Sequence, residues 1–139
     1  MDALGVKFRL LRELMQRSDF VSLHVPLNSA TRHMIGRTEL SLMKPASILV
    51  NTSRGPVIDE AALAAHLAAG KIFGAGLDVF DEEPPPSNNP LFKLDNVVLT
   101  AHFAGPTSDN HVARFRNAFD NVERIMRGDK PFWVVTELM

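Results

Sequence analysis

Ile48-Leu49-Val50-Asn51-Thr52-Ser53-Arg54-Gly55 is a short apolar run that ends abruptly in polar residues and an arginine. Ile48 to Val50 are continuous and partly β-branched rather than alternating, the pattern of a strand buried on both faces of a sheet. Asn51 to Gly55 then fall where such a strand leaves the sheet. In open α/β sheets that carboxyl edge is where ligands bind. Arg54 is thereby placed to offer a planar, permanently charged fork to a carboxylate. The stretch alone equally allows an arginine that neutralises its own loop or pairs with Asp59. A strand ending in chemically competent side chains recurs twice further along.

Working outward, Asp19 opens the strand Phe20–Val25, and Pro26 stops it because proline cannot donate to a ladder. Leu11, Leu14 and Met15 sit at helical spacing and predict an amphipathic helix over Arg9–Arg17, with Gly5–Phe8 a short strand before it. Met34-Ile35 and the Leu40/Met43 pair predict a short turn of helix that ends before Pro45. Beyond the central strand, Asp59 is a good N-cap, with Glu60 in the first turn to meet the helix dipole. The alanine-rich run to Ala69 buries Leu63 and Leu67 and closes at Gly70. Ile72–Val79 reads as the next strand, and its Gly74 and Gly76 imply close approach to the backbone. An acidic, stiff loop, Asp81-Glu82-Glu83 and Pro84-Pro85-Pro86, precedes a final buried strand, Val97–Thr100, which ends at Ala101-His102. Thr107 or Ser108 then caps a long helix whose core stripe is Val112, Phe115, Phe119, Val122 and Met126, ending at Gly128. Strands and helices alternate with short connections, which predicts an α/β fold with a parallel sheet and helices on its faces. No internal repeat, low-complexity tract or dividing linker is visible.

The 139 residues suffice for one domain. Hydrophobic residues make up 45 %, so the chain is not of disordered type. A net charge of −1 argues against nucleic acid or an anionic membrane as partner, since both select a basic face. With 0 cysteines there is no disulfide or thiolate metal site, which fits a reducing, cytoplasmic setting. No apolar run reaches the roughly 18 residues of a membrane span, and residues 1–15 lack the apolar core of a signal peptide. Asn51-Thr52-Ser53 matches a glycosylation sequon by letter, a coincidence in a chain without an export signal.

Three strands therefore end in Arg54, in Asp78 with Glu83 close behind, and in His102. Parallel strands share one carboxyl edge, so these ends lie along one rim. Guanidinium, imidazole and carboxylate are the groups that reduction of a 2-oxo acid requires. The cation orients the substrate carboxylate and polarises its carbonyl. The histidine supplies the carbonyl oxygen with a proton as hydride arrives. A carboxylate beside that histidine fixes its tautomer and favours the imidazolium. Each residue alone has an ordinary alternative: a hydrogen-bonded structural histidine, a solvated loop glutamate, an aspartate capping the next turn. His24, inside an apolar strand, reads as a core residue. His33, His66 and His111 are isolated, and no His/Asp/Glu pair has metal-ligand spacing, so no metal is expected.

Ser22-Leu23-His24-Val25-Pro26-Leu27, Met43-Lys44-Pro45, Asn51-Thr52-Ser53-Arg54-Gly55, Asp59-Glu60-Ala61-Ala62-Leu63, Gly76-Leu77-Asp78-Val79-Phe80, Glu82-Glu83-Pro84 and Thr100-Ala101-His102 follow in order. That series resembles the NAD-binding domain of D-isomer-specific 2-hydroxyacid dehydrogenases, such as phosphoglycerate dehydrogenase and glyoxylate/hydroxypyruvate reductase, and runs across almost the whole chain. The resemblance implies a Rossmann-like three-layer parallel sheet with helices on both faces. It implies that Arg54 orients substrate, His102 is the acid/base and Glu83 pairs with it. It also implies that Asp78 holds the nicotinamide carboxamide, while Val25, Pro26, Thr52, Ser53, Ala104 and Gly105 line the nicotinamide half of NAD. Ala101 departs from the family, which usually has proline before the histidine.

The family's G-x-G-x-x-G turn and the acidic residue that follows it do not occur in these residues. Gly74-Ala75-Gly76 is not that fingerprint, because it lies inside a strand and no third glycine follows. The expectation is thus residues 1–139 as the C-terminal part of a dinucleotide-binding domain, incomplete at its N-terminal side and without the substrate domain. The first strand of a doubly wound sheet lies at its centre. Without it, Phe20–Val25 keeps an open edge and an uncovered apolar face. Two readings follow: an oxidoreductase part that binds NAD weakly and does not turn over by itself, or a non-catalytic Rossmann module serving oligomerisation or partner binding. A homodimer is the family default. NAD is also the family default, with NADP open because the residue that selects between them is not in the chain.

Overall fold

Four strands, β1 (Phe20–Leu23), β2 (Ile48–Asn51), β3 (Gly74–Leu77) and β4 (Val97–Leu99), pair side by side in chain order, all parallel. The computed structural model describes residues 4–134. It divides after Phe103 into two units, Met1–Phe103 and Ala104–Met139. In the first unit, α1 (Leu11–Arg17) precedes β1, α2 (Arg37–Leu40) joins β1 to β2, and α3 (Glu60–Ala68) joins β2 to β3.

Sequential strand order has a consequence for the layers. Each crossover steps the same way across the sheet, and right-handed crossovers then place their helices on one face. The register shows it. Val21, Leu49, Ala75 and Val97 form one row and Leu23, Asn51, Leu77 and Leu99 another, all on the face that packs into the core with Met15, Leu40, Leu63 and Leu67. The opposite face carries Phe20, Ile48 and Gly74, then Ser22, Val50, Gly76 and Val98. Phe20 is 72 % exposed and Val98 is 70 % exposed. The Rossmann-like parallel sheet is as the sequence indicates, but residues 4–103 build only one helical layer.

Several local expectations need correction. The run Ile48–Val50 is not buried on both faces: Leu49 is fully buried, whereas Ile48 and Val50 are half-buried on the open side. β4 is likewise only partly covered. Gly5–Phe8 forms no strand, and α1 starts two residues later than Arg9. β1 stops at Leu23, so His24 is exposed rather than a core residue, with Nε2 2.8 Å from Ser22 Oγ. The short helix before Pro45 is a single turn, its Gly36 N–H donating to Glu39 Oε2 at 3.0 Å. β3 is shorter than Ile72–Val79. At Gly74 a Cβ would come within 2.8 Å of Asn96 O, so the close approach read from the glycine is real there. At Gly76 a Cβ would meet only ordinary contact, 3.8 Å from a Val50 methyl.

α3 follows its sequence closely. Asp59 caps it by accepting from Ala62 N–H at 3.0 Å, and Gly70 takes a left-handed φ of +62° just past its end. Leu49 sits at the centre of the single-sided core. Leu49→Ala is expected to cost about 2–5 kcal/mol, whereas Val98→Ser on the open face should stay within about 0.5 kcal/mol. Urea midpoints of the two variants check the asymmetry.

His66 on α3 is buried, and burial first, then the charges of Lys71 and Arg37, lowers its pKa. The unfolded chain therefore takes up this proton more readily than the folded one. The stability is present above the ordinary histidine value and is lost as pH falls below it. His66→Gln is expected to flatten the loss of melting temperature on mild acidification.

The second unit is α4 (Ser108–Met126) with the turn after it. Thr107 is its N-cap residue, and its N–H donates to Asn110 Oδ1 at 3.2 Å. The segment past Gly128 folds back on the helix: Arg124 lies 4.0 Å over the Phe132 ring, and Asn121 exchanges two hydrogen bonds with the Phe132 backbone. The stripe Val112, Phe115, Phe119, Val122 and Met126 is present as amphipathic spacing but is exposed along its length, not a buried core.

Candidate active site

Asn51 is the last residue of β2, 1 % exposed, and it shapes the loop that follows. Its Oδ1 accepts from Ser53 N–H at 3.0 Å and from Ser53 Oγ at 2.8 Å, and its Nδ2 donates to Arg54 O at 2.9 Å. This is an Asx turn closed on both sides. It holds Arg54 at the carboxyl edge, exposed, with Nη1 donating to Ser53 O at 2.6 Å. Asp59 serves the α3 cap and is not Arg54's partner.

Gly55 then lies against the chain after β3. A Cβ on Gly55 would stand 1.8 Å from Phe80 O and 2.6 Å from Asp81 N. Only a glycine admits that backbone crossing, which presses the arginine loop onto the acidic loop. Phe80 N–H donates to Glu83 Oε1 at 3.1 Å, leaving Glu83 Oε2 to meet His102 Nδ1 at 2.8 Å. The acidic loop is tied down from α3: Glu60 Oε2 accepts from Asp81 N–H at 2.9 Å, and its Oε1 accepts from Asn89 Nδ2 at 2.7 Å.

His102 has a φ of +58°. That left-handed conformation, unusual for a residue with a Cβ, turns the chain after β4 and is held from Asp78. The Asp78 main-chain O accepts from His102 N–H at 2.9 Å, while Oδ1 accepts from Phe103 N–H at 2.8 Å and from Thr100 Oγ1 at 2.5 Å. Asp78 is 4 % exposed. A cavity of about 420 Å³ opens beside the pair, walled by Phe80, Pro84, Pro85, Phe92 and Leu99.

The electrostatics match the geometry. The hydrogen bond from His102 lowers the Glu83 pKa most, followed by the Phe80 N–H, with further lowering by the His102 and Arg54 charges. Because the folded value lies below the unfolded one, the contribution of the Glu83 carboxylate to stability is complete above the ordinary glutamate range. It fades as pH falls through the depressed value.

The structure thus brings Arg54, Asp78, Glu83 and His102 to the ends of three adjacent strands. Val25, half-buried, and Pro26, exposed, follow β1; Thr52, exposed, and Ser53, half-buried, follow β2. Ala104 and Gly105 belong to the second unit, where Gly105 O accepts from Asn110 Nδ2 at 2.9 Å. Sequence reasoning passed over Asn51, Glu60 and Thr100. Asn51 carried a legible signal, an Asx-turn Asn-x-Ser at a strand end, which the sequon letters obscured. Glu60 and Thr100 carried none, because their partners are 21 or more residues away. Among the described residues no cluster of three or more His, Cys, Asp or Glu could hold a metal ion, and no helix is long and apolar enough to cross a membrane.

Residues 1–104 match the family model described as D-isomer specific 2-hydroxyacid dehydrogenase, NAD binding domain. A glyoxylate reductase of Korarchaeum cryptofilum is 48 % identical over 128 residues, which is 92 % of this chain and 39 % of that protein. Among solved structures, the NAD complex of a D-isomer specific 2-hydroxyacid dehydrogenase from Lactobacillus delbrueckii superposes with TM-score 0.84 at 31 % identity, covering 93 % of this chain and 43 % of that one. An acyclic imino acid reductase in complex with NADPH and D-Arg gives 0.86 at 37 % identity, covering 94 % and 41 %. The chain spans about two fifths of the length of each of these relatives. With residues 1–104, three quarters of its length, matching the family's NAD-binding domain, the chain belongs to the D-isomer specific 2-hydroxyacid dehydrogenases.

Proposed function

We propose that this domain supplies the acid/base and substrate-orienting groups for hydride transfer between NAD(P) and a small 2-hydroxy or 2-oxo acid. The observation that carries the reading is the Glu83–His102 contact at 2.8 Å, with the Arg54 charge acting on the same carboxylate. NAD(P), when bound, supplies or accepts the hydride. Arg54 takes the carboxylate of the acid in its fork and draws electron density from the adjacent carbonyl. Glu83 holds Nδ1–H of His102, so the proton moves at Nε2, to the carbonyl oxygen in reduction and from the hydroxyl in oxidation. Val25, Pro26, Thr52 and Ser53, following adjacent strands, would line the nicotinamide side together with Asp78. A row of parallel strand ends about 4.8 Å apart suits a flat ring laid across it.

These 139 residues contain no glycine-rich pyrophosphate turn, the main anion site of the fold. The isolated chain is therefore expected to bind NAD weakly and not to turn over. NMR titration tests the reading without turnover. NAD should shift signals of Thr52 and Ser53, and oxamate, a 2-oxo acid mimic, should shift those of Arg54 and His102. Silence at all four positions would refute it. A second reading, a non-catalytic module for oligomerisation or partner binding, draws support from the open sheet face of Phe20 and Val98. A cytoplasmic homodimer is the assembly proposed under the first reading; a monodisperse monomer by light scattering would count against it.

A further inference from the structure

Thr100 stands two residues before His102, and the chemistry above gives it nothing to do. Its N–H continues the ladder to Leu77 O at 3.0 Å, which any residue could supply. Its hydroxyl does something specific: it donates to Asp78 Oδ1 at 2.5 Å. The same oxygen accepts from Phe103 N–H at 2.8 Å, and the Asp78 main-chain O accepts from His102 N–H. Asp78 therefore grips the chain before, at and after His102.

That grip matters because His102 is left-handed, at φ +58°. A non-glycine residue there is strained and persists only where its surroundings over-determine it. A short O–H···O⁻ bond is among the stronger hydrogen bonds. Here it fixes the rotamer of the buried carboxylate so that Oδ1 faces Phe103 N–H. Without the hydroxyl, the carboxylate loses a partner and the turn loses one of these ties to Asp78. We propose that Thr100 is a positioning residue: through the Asp78 carboxylate it sets the left-handed turn that carries the His102 imidazole to Glu83. Its consequence for catalysis rests on the dehydrogenase reading, but the tie itself is read without cofactor.

The test is NMR on the full chain with Thr100→Val, which keeps the shape and removes the hydroxyl, and Thr100→Ser, which restores it. In the parent, the Phe103 amide should exchange slowly with solvent; an unprotected amide there would overturn the proposal by itself, whether or not any variant folds. In Thr100→Val, Phe103 exchange should quicken at least tenfold and the His102 HN–Hα coupling should leave its left-handed value. The Glu83 carboxyl should also titrate closer to an ordinary glutamate, and Thr100→Ser should behave as the parent. A folded Thr100→Val with all three readouts unchanged would sink the idea. If oxamate and NAD shift nothing while Thr100→Val still moves these signals, the positioning role stands and the redox reading falls.

Discussion

Replacing His102 by asparagine is expected to lower kcat for 2-oxo acid reduction by about 10²–10⁴-fold, the usual contribution of a positioned acid/base. That corresponds to about 3–5 kcal/mol of transition-state stabilisation. Asparagine keeps a polar group at the strand end but cannot deliver a proton at neutral pH, so the loss falls on the chemical step and leaves substrate binding largely intact. The assay is a chimera that places this chain in the matched segment of a full-length relative, followed in single turnover with glyoxylate or hydroxypyruvate. Arg54→Lys in the same chimera should chiefly raise KM, because an ammonium is a point charge without the bidentate fork. Glu83→Gln should sit between the two, keeping an acceptor for Nδ1–H while losing the charge that the His102 bond exploits. If His102→Asn keeps more than a tenth of the parent rate, the proton leaves by another route and the assignment fails.

Gly55→Ala is expected to be the most damaging substitution for the fold near the site, at about 3 kcal/mol or more. The added carbon would lie 1.8 Å from Phe80 O and 2.0 Å from Phe80 C. Neither atom can rotate away, since both are backbone, so one of the two loops must move. Whichever moves, the arginine loop separates from the loop whose Phe80 N–H holds Glu83. The variant should therefore show a lowered urea midpoint and, in the fraction that stays folded, the loss of the Glu83–His102 contact. Gly70→Ala is the control. Its φ is +62° but nothing lies within 4 Å of the new carbon, so it should cost only the left-handed strain of about 1 kcal/mol. Equal midpoints for the two variants would show that the loop crossing is not held as tightly as its geometry requires.

The two expectations depend on differently legible features. Gly55 could be noted in the sequence only as the residue after Arg54. The need for glycine comes from Phe80, 25 residues later, and from nothing local. His102, by contrast, was marked by its place at the end of an apolar β-branched run. The α3 segment was legible in full because its information is local: an Asx-type cap, alanine propensity, a terminal glycine. Local spacing also found the α4 stripe, yet spacing says only that a face is apolar, not that anything covers it.

Sequence alone determined the alternation of strands and helices, the common rim at which Arg54, Asp78, Glu83 and His102 end up, and the family resemblance. Those follow from periodicity, from turn and cap chemistry, and from the rule that parallel strands share an edge. Only the tertiary structure decided that the helices of residues 4–103 gather on one side of the sheet. It also turned His24 outward and made Glu60 and Thr100 supports of the site. Strand order fixes which face a crossover covers, and a side-chain hydrogen bond across 20 or more residues has no trace in local spacing; both belong to the folded chain.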